Sequence, residues 1–168
     1  MHTLYFVIGA SGSGKTAAVR KLDRMGRPRM FYFDSIGVPS EQERIAKWGD
    51  GSGWQRAMTI EWVQRIRPEL ATSSAVLDGQ TRPSFIAEAC ALGGVTSYRV
   101  ILITCSDAVR RARLLQRGQP ELANDQMMQW AKYLIAETRR VGGAIIENEN
   151  LSVEDTAAIL ARIVCAES

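Results

Sequence analysis

The sequence predicts an α/β fold of three layers, a five-stranded parallel sheet with helices on both faces, in a single domain spanning residues 1–168. Short apolar runs recur along the chain and alternate with longer amphipathic segments of helical period, the pattern of strand-helix-strand units. The runs are nearly continuous in apolar residues, as strands covered on both faces must be. No repeat, low-complexity tract or long linker interrupts them, and 168 residues with 46% hydrophobic content suffice for one core.

The first strand is expected over 3–8, from the run Leu4-Tyr5-Phe6-Val7-Ile8. It leads into Gly9-Ala10-Ser11-Gly12-Ser13-Gly14-Lys15-Thr16, which meets the pattern G-x-x-x-x-G-K-[ST] at every fixed position, and then into a helix over 15–25. A second strand is expected over 30–33, followed by helices over 40–48 and 53–71. The third strand, 74–78, precedes a helix over 83–92 that has Pro83 in its first turn and Gly93-Gly94 at its end. Strand 99–104 runs into a helix over 107–117 with Ser106 as its cap. A helix over 122–140 ends at Gly142-Gly143, strand 144–147 follows, and Ser152 with Asp155 opens the last helix, 153–165.

Strict alternation lapses between the second and third strands, where only helical signals occur. We expect a helical lobe there, about 37–70, over a cleft at the C-terminal ends of the strands. The lobe holds Trp48, Trp54 and Trp62 around Gly49-Asp50-Gly51-Ser52-Gly53, read as a hinge or as a plain loop. Its rings are expected to pack the lobe against the body, with substrate stacking as the alternative.

Bulk properties narrow the function. A net charge of +3, from 21 basic and 18 acidic residues, fits anionic phosphates in a cleft and does not demand nucleic acid. Nucleic acid is therefore not an expected partner; such a role would rest on Arg110, Arg111, Arg139 and Arg140. Cys90, Cys105 and Cys165 lack C-x-x-C spacing and lie among apolar residues, so all three read as reduced core residues. No segment has the roughly 18 to 20 apolar residues of a membrane span, and no signal-peptide layout precedes the first strand, so a cytoplasmic location is expected. The sole histidine, His2, sits at the N-terminus, which removes His-based nucleophile triads and His-rich metal sites.

The glycine-rich segment states its chemistry most directly. Glycines at 9, 12 and 14 let the backbone curl so that amide N–H groups of residues 9–16 face a di- or triphosphate, and the helix N-terminus adds its dipole. Lys15 would reach the outer phosphates, and the Thr16 hydroxyl would ligate Mg²⁺. Asp78, at the tip of the third strand, is the second candidate for Mg²⁺, with helix capping as its alternative. Arg113 and Arg117, four apart on a helix, would converge on the triphosphate, while Arg110 and Arg111 read as a solvated basic face. Asp34, after the second strand, would bind or deprotonate an acceptor hydroxyl, or cap the turn over 35–39.

Asp78-Gly79-Gln80-Thr81-Arg82-Pro83 resembles the D-G-F-P-R-T signature of adenylate kinases and related nucleoside monophosphate kinases, matching at Asp, Gly and Arg. The resemblance implies a P-loop NTPase fold, ATP with Mg²⁺, and an Arg82 that grips the acceptor's phosphate. The run from Asp107 to Arg117 resembles the same family's acid-then-helix segment, which implies a short lid at about 113–125 and a phosphate role for Arg113 and Arg117. Ile86 stands where the family has its adenine-reading glutamine, and no arginine follows Asp34 at the family's spacing. The position of Asp34 resembles shikimate kinase and chloramphenicol phosphotransferase, which implies a hydroxyl acceptor. The loop Glu147-Asn148-Glu149-Asn150 lies where related kinases pack main chain on the base. The expected activity is a small ATP-dependent kinase acting on a small-molecule hydroxyl or a nucleotide phosphate. The alternative is a nucleotide-binding regulatory ATPase or switch whose lobe engages a protein partner.

Overall fold

The computed structural model describes residues 2–26 and 28–165. Five strands, β1 (Leu4–Ile8), β2 (Arg29–Tyr32), β3 (Ala75–Asp78), β4 (Tyr98–Thr104) and β5 (Ala144–Glu147), form one parallel sheet in the order β2-β3-β1-β4-β5. Strand β1 sits in the middle with every residue buried, which is why it is apolar without alternation.

Its side chains still divide by the strand's period of two. Leu4, Phe6 and Ile8 pack with Trp62, Val63, Ile66, Ile86 and Leu134, so that face is covered by α3 (Gly51–Ile66), α4 (Pro83–Gly93) and α6 (Asp125–Arg140). Tyr5 and Val7 pack with Ala18, Val19, Leu22, Leu160 and Val164, so the opposite face is covered by α1 (Lys15–Asp23) and α7 (Val153–Cys165). The remaining helices are α2 (Glu41–Trp48) and α5 (Asp107–Gln116). No helix among the described residues is long and apolar enough to cross a membrane.

Several expected boundaries shift for local reasons. The helix expected over 53–71 ends at Ile66 and continues as a 3-10 turn over Arg67–Ala71, because Pro68 has no N–H to extend the α-helical ladder. The helix expected from 122 begins at Asp125, where the Asn124 side chain accepts the Met127 N–H at 2.8 Å; Pro120–Leu122 is a separate 3-10 turn. Of the glycine segment at 49–53, only Gly49 and Asp50 form a loop between α2 and α3. Asp50 accepts the Gly53 N–H at 2.7 Å as the cap of α3, so Gly51–Gly53 form that helix's first turn. A Cβ on Gly53 would lie 2.2 Å from the Trp48 carbonyl oxygen, which accounts for a glycine there.

The tryptophans are mainly structural. Trp54 and Trp62 are buried, the Trp62 indole N–H donates to the Phe33 carbonyl at 3.0 Å, and Trp54 meets Phe33 edge-on with centroids 5.7 Å apart. Cys90 and Cys105 are buried as expected, whereas Cys165 is exposed, because α7 presents its last residue to solvent. Burial pushes the Cys90 thiol up to about 12, so it stays protonated and inert.

Candidate active site

The loop over 9–14 leaves the C-terminal edge of β1 and turns straight into α1. Gly12 (φ +80°) and Gly14 (φ +82°) hold left-handed backbone conformations that side-chain-bearing residues rarely adopt. Gly14 caps α1 without any side-chain hydrogen bond, and no acidic residue lies in that helix's first turn. Apart from the Lys15 N–H, which reaches Ser13 Oγ at 3.4 Å, the N-terminal N–H groups of α1 meet no capping side chain and no first-turn carboxylate, which leaves donors free for a polyphosphate.

Loop carbonyls are satisfied from behind, by α5. The Arg110 guanidinium donates to the carbonyls of Ala10 (3.4 Å) and Ser11 (3.2 Å) and, on its other arm, to Thr104 Oγ1 and the Cys105 carbonyl, both 3.2 Å. Arg113 donates to the Ser13 carbonyl (3.2 Å) and to Asn148 Oδ1 (3.1 Å), while Asn148 Nδ2 donates to the same Ser13 carbonyl at 2.8 Å. Two expectations change here. Arg110 is wholly buried rather than on a solvated face. Arg113 and Arg117 do not converge: Arg113 faces the back of the loop, and Arg117 lines the cavity in front of it.

That front cavity, about 450 Å³, is lined by the loop, Thr16, Asp78, Asp34 and Arg117. Asp78 ends β3 beside β1, in register with Val7, and its buried carboxylate is ion-paired with Lys15 Nζ. Asp78 thus caps no helix. Its partner is the lysine of the phosphate-loop pattern, and the Thr16 hydroxyl lines the same cavity, so oxygen ligands suited to Mg²⁺ are close to the loop.

A second cavity of about 840 Å³ adjoins the first; Phe33, Asp34, Gln80 and Leu122 line both. Its walls include Trp54 and Gln55 of α3, Arg44 of α2, Arg82 before α4 and Trp130 of α6. Arg82 is held for display: it donates to Gln55 Oε1 at 2.5 Å, Gln55 Nε2 donates to the Gln80 carbonyl at 2.5 Å, and the guanidinium lies over Trp130 (4.9 Å to the centroid) and Phe85 (5.2 Å). Arg44 lies over Trp54 at 5.9 Å. Neither arginine forms an ion pair with a carboxylate among the described residues.

Asp34 sits in a 3-10 turn over Phe33–Ile36, two residues beyond the end of β2 at Tyr32. The turn is closed by its backbone, Gly37 N–H to the Asp34 carbonyl at 3.0 Å, and by Ser35 Oγ donating to the Tyr32 carbonyl at 2.6 Å. The exposed Asp34 carboxylate makes no hydrogen bond among the described residues, so it is not the turn's cap.

The arginines on which a nucleic-acid role would rest have different surroundings. Arg110 is buried, Arg111 donates to the Ala123 carbonyl and Asp125, and Arg140 is paired with Glu137. Sequence reasoning missed Arg44, Gln55 and Trp130, whose roles depend on three helices meeting. It also misread Arg110, although Arg110 lies four residues before the buried Leu114, on the inward face of α5.

Fold and site together define an α/β protein of phosphate-loop fold in which the cavity in front of the loop adjoins a second, larger one. Solved structures of the same fold include a sugar kinase from Janibacter sp. (TM-score 0.68, 17% identity, covering 96% of this chain and 93% of that one). A shikimate kinase from Acinetobacter baumannii in complex with shikimate gives a TM-score of 0.65 at 16% identity, over 100% and 95% of the two chains. A gluconokinase from Sinorhizobium meliloti gives 0.63 at 17% identity, over 98% and 95%. The sequence matches no family model and no curated protein.

Proposed function

We propose that the protein is an ATP- and Mg²⁺-dependent phosphotransferase acting on a hydroxyl of a small, anionic molecule. The observation that carries this reading is the place of Asp34, whose uncommitted carboxylate lies where the phosphate-loop cavity opens into the larger one. The names of the structural neighbours, a sugar kinase, a shikimate kinase and a gluconokinase, support a hydroxyl-bearing acceptor.

Loop 9–14 and the N-terminus of α1 would hold the polyphosphate, Lys15 would leave Asp78 for the outer phosphates, and Arg117 would approach from the lid over 113–125. Thr16 and Asp78 would hold Mg²⁺, which when bound supplies charge neutralisation at the transferring phosphoryl group. In the larger cavity Arg82 and Arg44 would bind the acceptor's anionic group, and Asp34 would position the reacting hydroxyl. The hydroxyl oxygen bonds to the γ-phosphorus, the bond to the bridging oxygen of ADP breaks, and the hydroxyl proton passes to Asp34. Rate enhancement comes from alignment and fixed charge.

Calorimetric titration with MgATP, followed by a screen of polyols, hydroxy acids and nucleoside monophosphates, tests this reading. Magnesium-dependent heat and transfer to a hydroxy acid support it. Transfer only to nucleotide phosphates would move the acceptor to the alternative that Arg82 suggests. Slow hydrolysis with no transfer would favour a nucleotide-dependent switch with a protein partner.

Arg82 offers a second check. Lysine keeps the charge but loses the fork held by Gln55 and the planar contact with Trp130 and Phe85. Arg82→Lys is expected to raise the acceptor KM about tenfold, roughly 1.4 kcal/mol, with the KM for ATP nearly unchanged. Steady-state kinetics with the acceptor found in the screen measures both.

A further inference from the structure

Arg110 is the largest wholly buried side chain in the described structure, and no carboxylate forms an ion pair with it among the described residues. Its four hydrogen bonds go to neutral oxygens, and Nε has no partner. The neighbouring charges on α5 are Asp107, whose carboxylate also lies 3.6 Å from Lys132 Nζ, and Arg113, which is of like sign. A buried cation so compensated is costly for a fold to keep.

Its contacts suggest what it does. A trans peptide points its C=O and the following N–H in opposite directions. Drawing the Ala10 and Ser11 carbonyls to the back of the loop therefore turns the N–H groups of Ser11 and Gly12 to the front. Arg113 and Asn148 act likewise on the Ser13 carbonyl and hence on the Gly14 N–H. Contact with the loop is close: a Cβ on Gly12 would lie 3.0 Å from Arg110 Cγ. Burial also keeps water from screening the guanidinium's charge, so it adds to the field that an anion meets at the loop.

We propose that Arg110 is a positioning residue for polyphosphate binding, which aims the loop's N–H groups and places an unshared positive charge behind them. The proposal rests on the reading that the loop binds a nucleotide. It makes nucleotide affinity depend on Arg110 over and above the stability that its hydrogen bonds contribute.

Two variants test it in the full chain. Arg110→Met keeps the stem and removes both charge and donors; Arg110→Lys keeps the charge but cannot hold the two carbonyls and the Thr104 and Cys105 oxygens together. Arg110→Met orphans the oxygens that the guanidinium serves and is expected to fold but melt, without ligand, somewhat below the wild-type Tm. It should bind MgATP and inorganic pyrophosphate at least tenfold more weakly by calorimetry and lose most of the ATP-dependent rise in Tm. Arg110→Lys should weaken both ligands about threefold or more. Wild-type affinity in a folded Arg110→Met, or wild-type affinity in Arg110→Lys should the methionine variant not fold, overturns the assignment. Wild-type protein that binds neither ligand overturns the reading of the loop itself, and the two failures are thereby told apart.

Discussion

Lys15→Met is expected to lower phosphoryl transfer about a thousandfold, or roughly 4 kcal/mol in the barrier, measured as kcat/KM for the best acceptor. The ammonium sits at the corner where the phosphate-loop cavity meets Asp78, and transfer spreads negative charge over the oxygens that this group would contact. Methionine has a similar reach and no charge, so the loss reports electrostatics rather than a missing stem. The substitution also leaves the buried Asp78 carboxylate without its partner, which is expected to cost about 1 to 3 kcal/mol of stability. Thermal unfolding of the variant separates that cost from catalysis. The double variant with Asp78→Asn removes the orphaned charge and should regain stability while staying inactive. Turnover at the wild-type rate in a folded Lys15→Met would end the kinase reading.

Asp34→Asn should slow transfer to a hydroxyl acceptor by about a hundredfold or more, the usual worth of a positioned general base. The carboxylate is exposed and bonded to nothing among the described residues, and its turn is closed by the backbone and Ser35, so the fold has little stake in it. Asparagine can hold a hydroxyl but cannot take its proton. A rate loss that raising the pH does not restore, with ATP affinity intact, fits that role. Near-normal turnover would return Asp34 to the status of a surface acid and favour an acceptor that is already an anion, such as a nucleotide phosphate.

Much of the fold was legible because each signal is local. The run from Leu4 to Ile8 can only be a strand buried on both faces, and Pro83, Ser106 and Ser152 mark helix starts that the structure keeps. The phosphate loop was legible for the same reason: eight consecutive residues carry its whole pattern, and the glycines at 12 and 14 take the positive φ that the pattern implies. Misreadings arose where a neighbour in space outweighs neighbours in sequence. Pro68 ends the α-helical ladder within an otherwise helical stretch, and Asp50 caps a helix whose first turn is rich in glycine.

The sequence by itself determined the sheet, the order of its helices and the phosphate loop, since hydrophobic period, caps and glycine placement act over a few residues. Only the tertiary structure decided which arginine does what. One basic stretch, α5 and its C-cap residue, divides into Arg110 beneath the loop, Arg111 tied to Ala123 and Asp125, Arg113 joined to Asn148, and Arg117 facing the cavity. It likewise built the larger cavity from Arg44, Gln55, Arg82 and Trp130, which lie far apart in the chain. A guanidinium has the same charge and the same five donors wherever it stands; its role is set by the oxygens and rings that folding brings within reach, and that information is not local.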